Sequence, residues 1–280
     1  MEERVITAQM IAGFVKYLQE DEKSRATIEK YKRDLEAFVF FANGSVITKE
    51  LAIRYKEYLK SAYKPSSVNS MLAAVNRFFK EMGWYDCVVK ALKVQRAVFR
   101  LKDRELNKEE YYRLLEAAKT KKNRRLYLIM ETICATGIRV SELQFITAEA
   151  LKTERAAVTL KGKTRTVLLP KALCRKLRQY AKERGIQNGS LFITKYGRPM
   201  DRSNILHEMK ALCEIAGVER SKVFPHNLRH LFACVFYKAV KDITRLADLL
   251  GHSNINTTRI YTSVSGEEQA RQIAKLGLVI

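Results

Sequence analysis

The stretch PHNLRH at 225–230, followed by LLGHSNINTTRIYT at 249–262, gathers three of the chain's four histidines around Arg229 and ahead of Tyr261. A lone histidine on a helix is ordinarily a cap or a core residue. Three of them in one short span, beside an arginine, ask for a common purpose. His226 and His230 stand four apart and so share one face of a helix. That spacing suits a zinc site, but the pattern lacks the intervening glutamate of a zinc-protease helix and the chain has no CxxC pair, which argues against metal. What remains is a set of imidazoles and a guanidinium able to handle an anion and a proton.

The composition points to the same kind of partner. Of 280 residues, 52 are Lys or Arg and 30 are Asp or Glu, a net charge of +22. Such a surplus repels itself and suits a polyanion, either nucleic acid or an anionic membrane. The charge is spread along the chain: residues 1–102 hold 19 basic against 12 acidic side chains, and residues 103–280 hold 33 against 18. Neither part is a basic tail on a neutral body. No stretch approaches the length of a membrane span and the start, MEERVITAQM, carries no secretory pattern. Nucleic acid is therefore the better explanation of the charge, and the cytoplasm is the expected compartment. Five cysteines (Cys87, Cys134, Cys174, Cys213 and Cys234), an odd number, read as small core residues in a reducing compartment.

The first hundred residues read as four helices. Thr7 caps one carrying Ile11, Phe14, Val15 and Leu18. After Ser24 come Ile28, Tyr31, Leu35, Phe38 and Val39 at spacings of three and four, ended by Asn43-Gly44. Thr48 opens a third with Leu51, Tyr55 and Leu59, and Pro65-Ser66 a fourth with Val68, Leu72, Val75 and Phe79. Such helices with short connections make a small bundle over residues 1–95. The charged segment around 96–105 reads as a linker to a second domain over 106–280. There Asn107-Lys-Glu-Glu110 predicts a capping box, and a helix from about Arg125 breaks at Gly137. Ala156–Leu160 and Arg165–Leu169 predict a β-hairpin with Lys161-Gly162-Lys163-Thr164 at its tip. Pro170 suits the first turn of the next helix, Leu191–Thr194 predicts a third strand, and the chain is helical again from Arg202.

Four stretches in order now carry a resemblance: ATGIRVSEL at 135–143, KGKTRTVLLP at 161–170, HNLRHLFA at 226–233 and LLGHSNINTTRIYT at 249–262. Together they resemble the tyrosine recombinase family, which includes the Xer proteins and the integrases of phages and conjugative elements. TIEKYKRDLEAFVFF at 27–41 is similar, less specifically, to the family's N-terminal core-binding helices. The resemblance implies a mainly α fold with a small antiparallel β-sheet, in two domains that form a C-shaped DNA clamp on double-stranded DNA, and so a protein of the nucleoid. It implies Arg139 and Arg229 as the two catalytic arginines, His226 and His252 as the imidazoles and Tyr261 as the nucleophile. The hairpin lysine aligns as Lys161 when the loop is matched on Gly162, with Lys163 the alternative. Glu142 matches an acidic position that supports the first arginine, and His230 reads as structural.

The chemistry can be argued from the residues. Strand exchange must break a phosphodiester without losing its bond energy, which a covalent phosphoenzyme achieves. A phenol with an intrinsic pKa of about 10 is a weak nucleophile at neutral pH. Two guanidiniums stabilise charge on the non-bridging oxygens, a lysine on a hairpin can protonate the leaving 5′-oxygen, and a histidine can take the phenol proton or orient the phosphate. No step needs a metal, ATP or a nicotinamide, so no cofactor is expected. The family further implies a dimer on each site and a tetramer in synapsis, with a second copy or a paralogous recombinase, and accessory DNA-binding proteins. The tail GEEQARQIAKLGLVI at 266–280 is expected to dock on a neighbouring protomer. Two alternatives stay open: a type IB topoisomerase, which shares the phosphotyrosine logic, and a non-catalytic DNA-binding regulator on the same fold. The two-domain length resembles Xer-like recombinases more than integrases with an extra N-terminal arm-binding domain.

Overall fold

A computed structural model describes residues 4–93, 104–160, 162–261, 271 and 274–276, with Leu160 and Lys163 described by backbone alone. Lys161, most of the linker and most of the tail after Tyr261 lie outside the described residues. The chain divides into two compact units, Met1–Arg96 and Ala97–Ile280.

The first unit is built from α1 (Ala8–Glu20), α2 (Arg25–Ala42), α3 (Lys49–Ala62) and α4 (Pro65–Glu81). Each start has a local cause. The side chains of Thr7, Ser24 and Thr48 accept a backbone N–H from the first turn, and Pro65 fills the first helical position, where its missing donor costs nothing. Asn43 ends α2 in the left-handed conformation. The expected apolar faces meet in one core of Phe14, Leu18, Leu35, Phe38, Tyr55, Leu59, Val68, Leu72, Val75 and Phe79. Ile11, Val15, Ile28, Tyr31 and Val39 sit half-buried at its rim. Phe14 meets Phe78, and Phe38 meets Phe79, edge to face. Asn69 and Asn76, seven apart on one face of α4, each bond both backbone groups of an exiting residue, Leu92 and Val89, at 2.7–2.9 Å.

The second unit contains α5 (Lys108–Thr120), α6 (Arg124–Thr136), α7 (Ala148–Thr153), β1 (Arg155–Leu160), β2 (Lys163–Leu168), α8 (Lys171–Glu183), α9 (Arg202–Lys210), α10 (Cys213–Ala216), α11 (Pro225–Val240) and α12 (Ile243–Leu250). The Asn107–Glu110 capping box forms as predicted, with both reciprocal bonds present. Helix α6 is the axis: α5, α8, α9 and α11 all pack on it. Its buried residues include Thr132 and Thr136, whose hydroxyls donate back to the carbonyls four residues earlier. The five cysteines are thiols, none joined in a disulfide. No helix of the described residues is long and apolar enough to cross a membrane.

Three local expectations are corrected. The hairpin tip is shorter than predicted: Leu160 pairs with Lys163, so Lys163 and Thr164 belong to β2, and Gly162 before them lies at φ +73°. The Thr159 and Thr164 hydroxyls, 2.9 Å apart across the strands, extend the pairing. Leu191–Thr194 is no strand of a sheet; it is held by the isolated bridge Ile193–Pro199 and by single backbone hydrogen bonds such as Leu191 N–H to Ile146 O at 3.0 Å. Its apolar residues are there because Leu191 and Phe192 are buried. Pro170 stands at the N-cap of α8 rather than inside its first turn.

Gly137, which terminates α6, is the tightest backbone position of the unit. It lies at φ +67°, and a Cβ there would come within 2.4 Å of the Phe232 ring on α11. Gly137→Ala should therefore destabilise the second unit by about 2–4 kcal/mol through left-handed strain and overpacking. Urea denaturation of the variant against the wild type checks this.

Candidate active site

The site is assembled where α6, the hairpin, α11 and α12 converge. Arg139 follows Gly137 and Ile138 and caps a 3₁₀ turn, Val140–Phe145. Glu142, one turn on, is 1% exposed. Its carboxylate accepts the Arg139 backbone N–H at 2.8 Å and the Arg139 Nη1 at 2.9 Å. A further cation reaches it from β2: Arg165 Nη2 donates to Glu142 Oε2 at 2.7 Å. The Arg139 Nε and Nη2 have no partner among the described residues, and the side chain is 38% exposed. Its spare donors therefore face outward, where a phosphate can reach them.

Arg229 is the buried counterpart, 1% exposed on α11. A guanidinium taken out of water needs its N–H groups satisfied. Nη1 donates to Gly137 O at 2.6 Å, and Nη2 to Leu250 O at 2.8 Å and to His252 at 3.0 Å. The guanidinium also lies close enough to Tyr261 to act on the titration of its phenol. Burial first, then Arg139, lowers the Arg229 pKa to about 10, still charged at neutral pH.

His252 is aimed by the end of α12. Gly251 takes the left-handed conformation and the His252 N–H bonds back to Ala247 O at 3.0 Å. An arginine can only donate, so His252 Nε2 accepts from Arg229. The ring proton then sits on Nδ1 and is donated to Thr258 Oγ1 at 2.8 Å. Burial, followed by Arg229, Arg139 and Arg165, depresses the His252 pKa from 6.5 to about 4. His226, on the first turn of α11, is also held below its ordinary value, by burial and then by Arg229, His230, Arg202 and Arg139.

Tyr261 lies on the 3₁₀ turn Arg259–Tyr261, is 3% exposed and packs with Ala233, Leu246 and Leu250. Its ring is parallel to that of His252, with centroids 6.3 Å apart, and lies 5.1 Å from His230. Burial raises its pKa, while Arg229 pulls it the other way.

Among the expected site residues, the structure hydrogen-bonds Arg229 to His252, lays the Tyr261 ring parallel to that of His252 and sets Arg139 beside them through Glu142. His226 shares their electrostatic field. Lys161 lies outside the described residues, and nothing is described of the Lys163 side chain. Sequence reasoning missed Arg165, one of several cations in the hairpin, and Thr258, whose bond to His252 spans a turn. It read His230 as structural; His230 pairs with Glu105 at 3.1 Å and packs against Tyr261 more closely than His252 does.

A phenol near a buried guanidinium, with a second guanidinium and two neutral imidazoles close by, is an arrangement that can hold a phosphate and exchange a proton beside it. Known proteins show the family. The profile described as Phage integrase family matches residues 104–268, and that of the Phage integrase N-terminal SAM-like domain matches residues 11–84. Tyrosine recombinase XerA of Thermococcus kodakarensis is 31% identical, over 96% of each chain. A lambda integrase dimer bound to a COC′ core site shares the fold, with a TM-score of 0.75 at 17% identity over 92% of this chain and 78% of that one. XerH bound to a difH substrate in a pre-cleavage complex superposes with a TM-score of 0.70 at 21% identity, over 96% and 84%. The chain belongs to the phage integrase family, the tyrosine recombinases, which cleave and rejoin DNA in site-specific recombination.

The imidazole of His252 supplies a test of the geometry. Between its unfolded value of 6.5 and its folded value of about 4, the unfolded chain binds a proton that the native site refuses. The native contribution is thus complete above the upper value and is lost as pH falls towards the lower one. The His252 ring resonances should keep their neutral positions down to about pH 5.5, where an ordinary imidazole is mostly protonated. His252→Gln should lose less stability than the wild type between neutral pH and that point. NMR titration and urea denaturation at the two pH values check both.

Proposed function

We propose that Tyr261 is the nucleophile of a site-specific DNA recombinase that joins its phenolic oxygen to the scissile phosphorus, forming a 3′-phosphotyrosine and releasing a 5′-hydroxyl. The observation that carries the reading is that one turn places Tyr261 close to Arg229 and His252, which come from two other segments. The activity is strand cleavage and rejoining in integration, excision, inversion or dimer resolution.

The phosphate sits between the outward donors of Arg139 and the Arg229 guanidinium, where two fixed positive charges meet the charge that develops on its non-bridging oxygens. Tyr261 is 3% exposed, so the phenol must leave its buried position to attack. His226, neutral on the first turn of α11, takes the phenol proton. His252 orients Arg229 by accepting its N–H. Lys161, between the two hairpin strands in sequence, protonates the leaving 5′-oxygen, with Lys163 as the alternative. The phosphotyrosine keeps the bond energy, so the reaction uses no metal and no ATP. Both units carry a basic surplus, and each contributes phosphate contacts to one duplex. A dimer on each site and a tetramer of this chain, or of it and a paralogous recombinase, perform the exchange.

A nicked suicide substrate should trap a covalent complex through Tyr261, with chelator present and ATP absent. Tyr261→Phe should abolish trapping while leaving DNA affinity intact; a gel-shift and a denaturing gel read the two. Lys161→Ala should slow cleavage of ordinary DNA by about 100-fold or more. A bridging 5′-phosphorothiolate, whose thiolate leaves without a proton, should restore the rate. If Lys163→Ala behaves this way instead, Lys163 is the acid.

A further inference from the structure

Arg165 stands outside the residues assigned so far, yet it touches three of the segments that make the site. It lies in β2 opposite Val158, close in sequence to Lys161 and Gly162. Its Nη2 donates to Glu142 Oε2 at 2.7 Å, and its Nη1 donates to Leu249 O at 2.8 Å. The first bond reaches the Arg139 turn. The second reaches the end of α12, whose next carbonyl, Leu250 O, accepts from Arg229. Two arginines thus satisfy consecutive orphan carbonyls at a helix C-terminus, where cations are favoured.

The path of the side chain is as specific as its end. A Cβ on Gly251 would lie 2.5 Å from Arg165 Cδ and 2.6 Å from Nε. The stem of Arg165 therefore runs across the bare backbone of Gly251, immediately before His252. Gly251 serves twice, as the left-handed end of α12 and as the gap through which Arg165 passes.

The bond to Glu142 also shapes the first arginine. Glu142 gives Oε1 to the Arg139 guanidinium and Oε2 to the Arg139 backbone and to Arg165. With Arg165 seated on Oε2, Arg139 is held through one nitrogen and cannot close a two-oxygen fork on Glu142. Its remaining donors stay directed outward. Without Arg165, the bidentate pair that guanidinium and carboxylate prefer would turn them inward.

We infer that Arg165 is a positioning residue for strand cleavage, locking the hairpin, the Arg139 turn and the His252 segment into one register and keeping Arg139 open for the phosphate. The inference rests on the reading of Tyr261 as nucleophile. It concerns the rate of the chemical step and not the grip on DNA.

The test measures single-turnover trapping on the nicked suicide substrate at saturating DNA, with DNA affinity measured alongside, in the full chain. Arg165→Ala should trap about 100-fold more slowly, with DNA affinity within a few-fold of wild type. Arg165→Lys keeps the charge but reaches one acceptor only, and should recover part of the loss. Gly251→Ala should slow trapping by displacing the Arg165 stem. In the Arg165→Ala background, where the stem is gone, Gly251→Ala should cost little more. The left-handed strain that Gly251→Ala introduces lowers thermal stability in both backgrounds alike, so only the trapping rate carries the coupling. Wild-type trapping by Arg165→Ala, or multiplicative losses in the double variant, would overturn the inference. If Arg165→Ala does not fold, Arg165→Lys and Gly251→Ala decide: wild-type rates in both overturn it, and slowed trapping in both supports it. Tyr261→Phe separates the two readings. If it still traps DNA, the nucleophile assignment falls; if it does not and Arg165→Ala is unimpaired, only the role of Arg165 falls.

Discussion

The buried guanidinium of Arg229 is the constraint on which the rest of the catalytic unit depends. A charge at 1% exposure is tolerable only where fixed acceptors replace water. Those acceptors come from separate parts of the chain: Gly137 at the end of α6, Leu250 at the end of α12, and the His252 ring. Each is a helix terminus or the residue just beyond one. The site is thus built by stopping helices at set places, and the left-handed glycines at 137 and 251 do the stopping. Gly137 also lets α11 approach α6 closely enough for Arg229 to reach it, since any side chain would strike Phe232.

Electrostatics follow from the same geometry. One buried carboxylate, Glu142, lies among Arg139, Arg165 and Arg229, so the cluster keeps net positive charge before any anion arrives. A field of this sign has three effects: it favours phosphate, it lowers the pKa of both His226 and His252 so that the imidazoles are neutral, and it partly offsets the rise that burial imposes on Tyr261. Under the proposal that Tyr261 is the nucleophile, neutral imidazoles are free to accept its proton.

Much of the fold was legible because its causes are local. Thr7, Ser24, Thr48 and the Asn107–Glu110 box start helices through hydrogen bonds spanning three residues, and the apolar spacing of α1 to α4 maps directly onto one core. The misreadings have physical reasons too. Lys163 and Thr164 look like turn residues, but the cross-strand Thr159–Thr164 pair holds the ladder one step further. Leu191–Thr194 has a strand's composition because it is buried, while its backbone finds only isolated partners. Apolar runs report burial, and burial alone does not make a ladder.

From sequence alone came the candidates: arginines at 139 and 229, histidines at 226 and 252 and a tyrosine at 261, picked out because four ordered stretches resemble the tyrosine recombinases. It could not say which of these touch. Folding in three dimensions set the Tyr261 ring parallel to His252, assigned the His252 proton through Thr258, brought the His230 ring closer to Tyr261 than that of His252, and drew Arg165 across Gly251 to Glu142. The bond that seats Arg229 on Gly137 joins residues 92 positions apart. Such contacts are selected by the need to satisfy a buried charge in three dimensions, and neither helix nor strand periodicity carries that information.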